Sequence, residues 1–276
     1  MDVQVERIDH EDAYMRNRLF DLLAPHEAYC LFITGNLKRG FPDSHIYVAV
    51  RGREWVGVAG YYGAPRSIVP FAIKPEVTRA LVAHVAEHHP AVAYLCAVAN
   101  VAEPACDELR HMDYKLVGEP RCVFMQLEEQ PPPQPFEELA RPIMPADHKA
   151  VALLLRSLNN QPPDLPVTEE ELRKVSMNPS CHVLAVGGEV VATAQTNGLG
   201  ISAFQILGVA THAEHRNRGY ARAVCASLIR VMWNAGARQS VLFTGFDNAA
   251  ALACYEKLGF QAKGEYWVAR LARTSG

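Results

Sequence analysis

A basic turn that leads into a helix is the part of this sequence best suited to chemistry. In the segment THAEHRNRGYARA, Thr211–Ala223, Arg216 and Arg218 stand just before Gly219. The first N–H groups of a helix lack partners and carry a partial positive charge, and glycine lets a phosphate approach them. Arginine adds charge-assisted hydrogen bonds. The turn therefore predicts a pyrophosphate site, with an ordinary solvated turn as the alternative.

A strand and an amphipathic helix must hold this turn in place. The preceding segment SAFQILGVAT, Ser202–Thr211, predicts a strand, and Gly236 ends the helix that follows Gly219. Spacings of three and four give that helix one apolar face. Its members are Ala221, Val224, Cys225, Leu228, Ile229 and Met232.

The rest of the second half alternates strands and helices. Thr168 and Glu171 have the spacing of a capping box and predict a helix start. The order predicts a mixed α/β class with an antiparallel beginning and a parallel middle. The further predicted elements are a strand over 141–144, a helix over 147–158, a hairpin from Cys181, a strand at QSVLFTG, a helix over 248–258 and a last strand at EYWVARL.

Two similar halves flank a proline-rich segment. EEQPPPQPFEE, Glu128–Glu138, predicts an extended connector, because proline fixes φ and removes a donor. Hairpin-like segments begin near His45 and Cys181, and NVAEPACDEL resembles NAAALACYEKL. We therefore expect two domains, residues 1–127 and 139–276, joined by residues 128–138, with chance similarity as the alternative to a duplication.

Composition limits the class of protein. The 276 residues are 49% hydrophobic and 21% charged with a formal net charge of −3, which indicates a globular chain without a field for nucleic acid. The seven scattered cysteines favour reduced thiols. The amino-terminal segment does not resemble a signal peptide, and no apolar run suits a membrane helix. We expect a cytoplasmic protein that binds neither nucleic acid nor membrane.

Three segments together resemble the GNAT superfamily of N-acetyltransferases. RNRGYA, Arg216–Ala221, fits its cofactor motif, ILGVAT precedes it, and DNAAALACYEKLGF, Asp247–Phe260, is similar to its closing motif. The resemblance covers residues from about 140 to 270. It implies an α/β fold of two GNAT-like domains, each a mixed, mostly antiparallel sheet flanked by helices.

The resemblance also implies the cofactor, acetyl-CoA, and the residues that hold it. Main-chain groups of Val209, Ala210 and Thr211 would meet the pantetheine arm and the acetyl carbonyl. Asn248 and Tyr255 would lie against the thiol end. The residues expected to wrap the pyrophosphate are Arg216, Asn217, Arg218, Gly219, Tyr220 and Ala221.

Acetyl transfer by direct attack needs a base for the amine, a donor for the oxyanion and an acid for the thiolate. Tyr255 suits the acid because a phenol stays protonated at neutral pH, although packing is the alternative role. A backbone N–H near Val209 suits the oxyanion. Several relatives place a glutamate fourteen residues before the motif glycine, where this chain has Gln205. An amide cannot take that proton, so no base is assigned.

Other polar groups near the turn do not indicate a base, a metal site or a dinucleotide site. Glu214 and His212 stand close to the turn, but Glu214 is expected to be a solvated surface group. His212 and His215 have no partner at metal-ligand spacing, so no metal is expected. The segment NGLGIS, Asn197–Ser202, predicts a hairpin turn and not a dinucleotide motif.

The first half has similar predicted elements but lacks the residues expected to bind the cofactor and to act as the acid. FAIKPEVTRALVAH, 71–84, has no glycine at the equivalent turn, and Asp107 stands where the second half has Tyr255. We expect a degenerate copy that either completes the substrate pocket or resembles a dimer partner.

Three functions follow from these expectations. The first is an N-acetyltransferase that uses a primary amine of a small molecule, amino acid or peptide. The second is a non-catalytic acyl-CoA sensor, which the missing carboxylate favours, and the third is transfer of a longer acyl group. The chain is expected to be a monomer or homodimer.

Overall fold

The structure is a computed structural model that describes residues 3–158, 161–162, 165–178 and 180–274. Contacts between Cα atoms divide the chain into two compact units. The first unit comprises Met1–Met125, Phe243–Asp247 and Ala262–Gly276, and the second comprises Gln126–Leu242 and Asn248–Gln261.

The elements alternate along the chain much as the sequence pattern predicts. In the first half they are β1 (Gln4–Ile8), α1 (Ala13–Leu23), α2 (Glu27–Arg39), β2 (Ser44–Arg51), β3 (Glu54–Tyr62), β4 (Ser67–Ala72), α3 (Pro75–His88), β5 (Tyr94–Val98), α4 (Ala99–His111), β6 (Tyr114–Val117) and β7 (Arg121–Leu127). In the second half they are β8 (Ala140–Pro142), α5 (His148–Leu158), α6 (Glu169–Ser176), β9 (Cys181–Val186), β10 (Glu189–Leu199), β11 (Ala203–Thr211), α7 (Tyr220–Asn234), β12 (Gln239–Thr244), α8 (Ala249–Leu258) and β13 (Gln261–Arg273).

In the first unit the sheet runs in the order β1-β2-β3-β4-β5-β13, and β6 also pairs with β13. Its pairings are antiparallel apart from β4 with β5, which run parallel. Buried side chains of α1 and α2, such as Leu19 and Ile33, pack with Ile46 and Val58 of the sheet into one core. Burial of these apolar groups drives the packing of the helices on the sheet.

In the second unit the sheet runs in the order β12-β11-β10-β9-β8. In the described part of this unit, β11 and β12 pair in parallel, and the pairings of β10 with β11, β9 with β10 and β8 with β9 are antiparallel. On one face, Val151 of α5 and Val175 of α6 pack with Cys181 of β9. On the other, His182 Nδ1 lies 3.0 Å from Ser227 Oγ of α7. Successive residues of β9 thus face different helix layers, and the predicted mixed, mostly antiparallel sheets flanked by helices are confirmed.

Two elements of the second half that short sequence motifs predict are present in the structure. Thr168 Oγ1 accepts a hydrogen bond from Glu171 N at 3.3 Å, and Glu171 Oε2 accepts one from Thr168 N at 2.8 Å, so the capping box forms. The segment Asn197–Ser202 comprises the last residues of β10 and the three-residue connection to β11, as expected for a hairpin.

The division into units differs from the predicted bounds at the end of the chain. The predicted second domain extended to residue 276, whereas β13 hydrogen-bonds with β5 and β6 of the first unit. Phe243 also belongs to the first unit, where its ring stacks on Tyr266 with 4.7 Å between centroids. The pairing of β13 with distant strands therefore decides which unit it joins, and its position after α8 in the sequence does not.

The proline-rich connector belongs to the second unit and is tied to α7. Residues 128–134 form no helix or strand, as expected for this composition. Arg230 of α7 donates to the Pro131 carbonyl at 3.0 Å and forms an ion pair with Glu137. The ring of Phe136 packs edge-on against Tyr220 at 5.3 Å. The connector is therefore anchored along α7, at Tyr220 and at Arg230.

Candidate functional site

A cavity of about 590 Å³ opens in the second unit between the end of β11, the start of α7 and one face of α8. It brings together ten of the eleven residues predicted to hold the cofactor. Its lining residues are Leu158, Val209, Ala210, Thr211, His215, Arg216, Asn217, Gly219, Tyr220, Ala221, Arg222, Asn248, Ala250, Ala251, Ala253, Cys254, Tyr255 and Lys257.

The turn before α7 presents a row of unpaired backbone donors. Gly219 has φ of 88°, a left-handed conformation that side chains other than glycine adopt only with strain. The first helical hydrogen bond runs from Ala223 N to Gly219 O at 3.1 Å. From Asn217 to Arg222, no backbone N–H donates to another residue that the structure describes. A helix start with so many free donors is suited to an anion.

The arginines that line the cavity at this turn differ from the two that the sequence predicts. Arg216 lines the cavity and donates from Nε to Thr211 O at 3.3 Å. Arg218 does not line the cavity, because its Nη2 donates to the Glu214 carbonyl at 3.1 Å. Arg222 lines the cavity instead, and its Nη2 would lie 3.2 Å from a Cβ atom added at Gly219. Arg216 and Arg222 thus line the cavity, whereas Arg218 does not.

The strand wall of the cavity is opened by splaying and by a bulge. Parallel pairing of β11 with β12 covers Ala203–Gln205, so the predicted thioester-binding segment Val209–Thr211 lies beyond its end. The pairing of β10 with β11 shifts register, so that Gly208 and Val209 both oppose Ala194. Gly208 has φ of 61°, as in a glycine bulge. A bulge redirects the backbone groups of the strand that carries it.

Tyr255 has the protonation state expected of a general acid. Its side chain is buried, and burial, followed by the nearby Cys225 and Cys254 thiols, raises the pKa of the phenol well above its ordinary value. The ring packs against Phe260 at 5.8 Å. The residue also lines the cavity. A proton donor therefore stands at the wall formed by α8.

Asn248 combines a place in the cavity wall with a structural role. Its Oδ1 accepts from Ala251 N at 3.3 Å and so caps α8. The cap fixes the start of the helix that carries Tyr255 and Cys254.

No carboxylate occupies the strand position where several relatives have a base. Gln205 is buried, and its Oε1 accepts from Asn197 Nδ2 at 3.1 Å. His212 and Glu214 are exposed. His215 lines the cavity, and its buried Nδ1 has no partner among the described groups. The general base stays unassigned.

Sequence reasoning missed several lining residues. Arg222 lies one helical turn after Gly219, so helical spacing could have identified it. The same spacing relates Ala250, Cys254 and Lys257 on one face of α8. Leu158 comes from α5, far away in sequence, and no local pattern indicates its position.

The described residues contain neither a cluster suited to a metal ion nor a helix suited to a membrane. Among the described residues, no group of three or more histidine, cysteine, aspartate or glutamate side chains could hold a metal ion. The helices within those residues include none that is long and apolar enough to cross a membrane.

Comparisons with known proteins agree with the geometry. Residues 148–260 match the model of the acetyltransferase (GNAT) family. A tandem GNAT protein from the clavulanic acid biosynthesis pathway, solved without AcCoA, is 16% identical over 100% of this chain and 99% of that one, with a TM-score of 0.61. A GCN5-related N-acetyltransferase from Sphaerobacter thermophilus is 17% identical over 98% and 95%, with a TM-score of 0.59.

A Drosophila protein is 13% identical over 96% of this chain and 98% of that one, with a TM-score of 0.66. At such identities these likenesses show the fold alone. The comparison with curated sequences gave no match. Residues 148–260 are thus similar to the GNAT family, and the fold of the whole chain is similar to that of a tandem GNAT protein.

Proposed function

We propose that the second unit transfers an acetyl group from acetyl-CoA to a primary amine of a small molecule, amino acid or peptide by direct attack. One observation carries the proposal. A single cavity joins the free N–H groups before α7, the splayed end of β11 and the phenol of Tyr255. The match of residues 148–260 to the acetyltransferase (GNAT) family model supports acyl transfer in general.

The cavity residues divide into those that hold the cofactor and those that face the reacting atoms. The backbone donors from Asn217 to Arg222, with the guanidinium groups of Arg216 and Arg222, would hold the pyrophosphate. The main chain of Val209–Thr211 would bind the pantetheine arm as an added strand, since its β12 side is unpaired.

At the thioester the chain supplies two donors. The N–H of Val209 would stabilise the oxyanion, and Tyr255 would protonate the departing thiolate. The raised pKa keeps the phenol protonated at neutral pH, which suits an acid and not a base. The amine must lose its proton to water or enter as the free base, because Gln205 is an amide.

Thiol release from acetyl-CoA with a panel of amines tests the proposal. Wild-type protein should release thiol with at least one amine and form the N-acetyl product. Absence of release with every amine, in protein that still binds coenzyme A, would contradict it.

That negative result would favour the second function, a non-catalytic acyl-CoA sensor. The amide of buried Gln205, paired with exposed Asn197, is the observation in its favour, because the relatives' carboxylate is replaced by a group that cannot accept a proton. A sensor would bind acetyl-CoA with unchanged affinity in the Tyr255→Phe variant and turn over no amine.

A further inference from the structure

Phe136 of the proline-rich connector has a backbone conformation that disfavours any side chain. Its φ is 68° and its ψ is 9°, which lies in the left-handed region. Pro135 precedes it, and Glu137 N donates to Gln134 O at 3.3 Å, so residues 134–137 have the hydrogen bond and the third-position φ of a type II turn. Glycine is the usual residue at that position, because a Cβ atom is strained there. A phenylalanine therefore needs a reason outside the turn.

Arg230 ties this turn to α7. The carboxylate of Glu137 accepts from Gln134 N at 3.1 Å and forms an ion pair with the guanidinium group of Arg230. Arg230 also donates to the Pro131 carbonyl at 3.0 Å. The chain is thus fixed to the helix on both sides of Phe136. Its surroundings impose the strained conformation, as is common for strained residues with a functional role.

The ring of Phe136 packs on the first residue of α7. It lies edge-on to the ring of Tyr220, with 5.3 Å between the centroids. Tyr220 is buried, follows Gly219 directly and lines the cofactor cavity. Its backbone N–H is one of the unpaired donors at the start of this helix. The ring contact therefore joins the connector to the turn proposed to hold the pyrophosphate.

That turn has few internal contacts to keep it in one conformation. Gly219 is of the residue type with the greatest backbone freedom, and it must be held at φ of 88°. The backbone N–H groups from Asn217 to Arg222 donate to no other described residue. Donors that converge on one anion bind it more tightly when they are ordered beforehand, because binding then loses less conformational entropy. A ring clamped on the residue after Gly219 supplies such order.

We propose that Phe136 is a positioning residue for the cofactor. Its ring holds Tyr220, and through Tyr220 the unpaired N–H groups at the start of α7, in the arrangement that a pyrophosphate needs. The inference rests on the proposed function, in which this turn binds coenzyme A. The strain at Phe136 is then the consequence of placing an aromatic ring at a turn position that favours glycine.

Two substitutions separate the ring from the strain. Phe136→Ala removes the ring and keeps a Cβ atom in the left-handed conformation, whereas Phe136→Gly removes both, so Phe136→Gly should have the higher Tm of the two. Both should weaken coenzyme A binding by the same factor, roughly tenfold, because they lose the same ring contact. Scanning calorimetry measures the Tm, and titration calorimetry with coenzyme A measures the affinity.

Leu139→Ala is the matched control. Leu139 is three residues further along the chain, is 40% exposed like Phe136, and does not line the cofactor cavity. Its substitution should leave the affinity for coenzyme A unchanged. Phe136→Tyr keeps the ring and should keep the affinity within about twofold of the wild type.

The outcomes separate this proposal from the proposed function. An affinity loss that follows the Tm, larger in Phe136→Ala than in Phe136→Gly, would mean a purely structural role and overturn the proposal. If no amine releases thiol but coenzyme A binds and both variants weaken that binding equally, the transferase function fails and the positioning role stands. If the wild type turns over amines and neither variant changes the affinity, the positioning role fails and the transferase function stands. No binding of coenzyme A by the wild type would overturn both.

Discussion

The two units differ most where a strand passes into the following helix. In the second unit, residues 212–219 separate β11 from α7, whereas in the first unit only Ile73 and Lys74 separate β4 from α3. Both units have the same topology here, since β4 and β11 each pair in parallel with a later strand only near their start. The difference lies in the turn.

The short turn of the first unit leaves little to bind an anion. Pro75 opens α3 and has no N–H, and Lys74 O accepts from Val77 N at 3.0 Å and from Thr78 N at 3.2 Å. Glu76 places a carboxylate in the first helical turn, which satisfies the helix dipole and repels phosphate. We therefore expect an anion site only in the second unit, where the same strand and helix are joined by a longer turn with a glycine and cations.

The largest expected effect concerns the helix that carries Tyr255. Tyr255→Phe should lower kcat about 100-fold while coenzyme A affinity changes less than about threefold, because only the proton donor is lost. Steady-state kinetics and calorimetry measure the two quantities. The counterpart in the first unit is Asp107, exposed and paired with Arg110. Asp107→Asn should leave kcat unchanged, and an equal loss from both substitutions would remove the distinction between the units.

The next effect concerns the turn glycine. Gly219→Ala forces a Cβ into a left-handed position and narrows the approach to the helix start, so it should weaken coenzyme A binding at least about tenfold. Lys74→Ala, at the helix start of the first unit, is the control and should leave the affinity as it is. Unchanged binding by the Gly219 variant would show that the turn does not hold the pyrophosphate.

A comparison of two arginines sharpens the account of the same turn. Arg222→Ala should weaken coenzyme A binding about tenfold, since a charge-assisted hydrogen bond is lost. Arg218→Ala should weaken it less than about threefold, because Arg218 is exposed and turned to the Glu214 carbonyl. Titration of both variants at one salt concentration distinguishes them, and the reverse order would mean that Arg218 turns inward with the cofactor bound.

The smallest expected effect is on the pH dependence of the free energy of unfolding, to which His89 of the first unit contributes. His89 stacks on Tyr61 at 3.7 Å, and burial, followed by the nearby His45 and His88, lowers its pKa to about 4 from an ordinary value of 6.5. As pH falls below 6.5, the unfolded chain takes up a proton before the folded one, so the free energy of unfolding decreases down to about pH 4.

His89→Gln should therefore reduce the loss of Tm between pH 7.5 and pH 5, as measured by calorimetry. Only the slopes are compared, because the variant also loses the contact of Tyr47 Oη with His89 Nε2 at 2.9 Å. In the second unit, burial lowers the pKa of His182 to about 4 as well, so some pH dependence should persist. Equal slopes in wild type and variant would assign the effect elsewhere.

The sequence predicted best those features that depend on interactions between residues close together in the chain. The capping box of Thr168 and Glu171 and the start of α7 at Gly219 depend on neighbouring residues, and both form as predicted. The position of Leu158 in the cavity wall depends on tertiary packing. The same holds for the pairing of β13 with β5, which no spacing in sequence encodes.

The stoichiometry of coenzyme A binding tests the central claim most directly, namely that one unit of this chain carries a cofactor site and the other does not. Isothermal titration calorimetry of the wild-type chain should give one equivalent of coenzyme A per chain, with binding weakened by Gly219→Ala and unaffected by Lys74→Ala. Two equivalents per chain, or no binding by the wild type, would contradict the account.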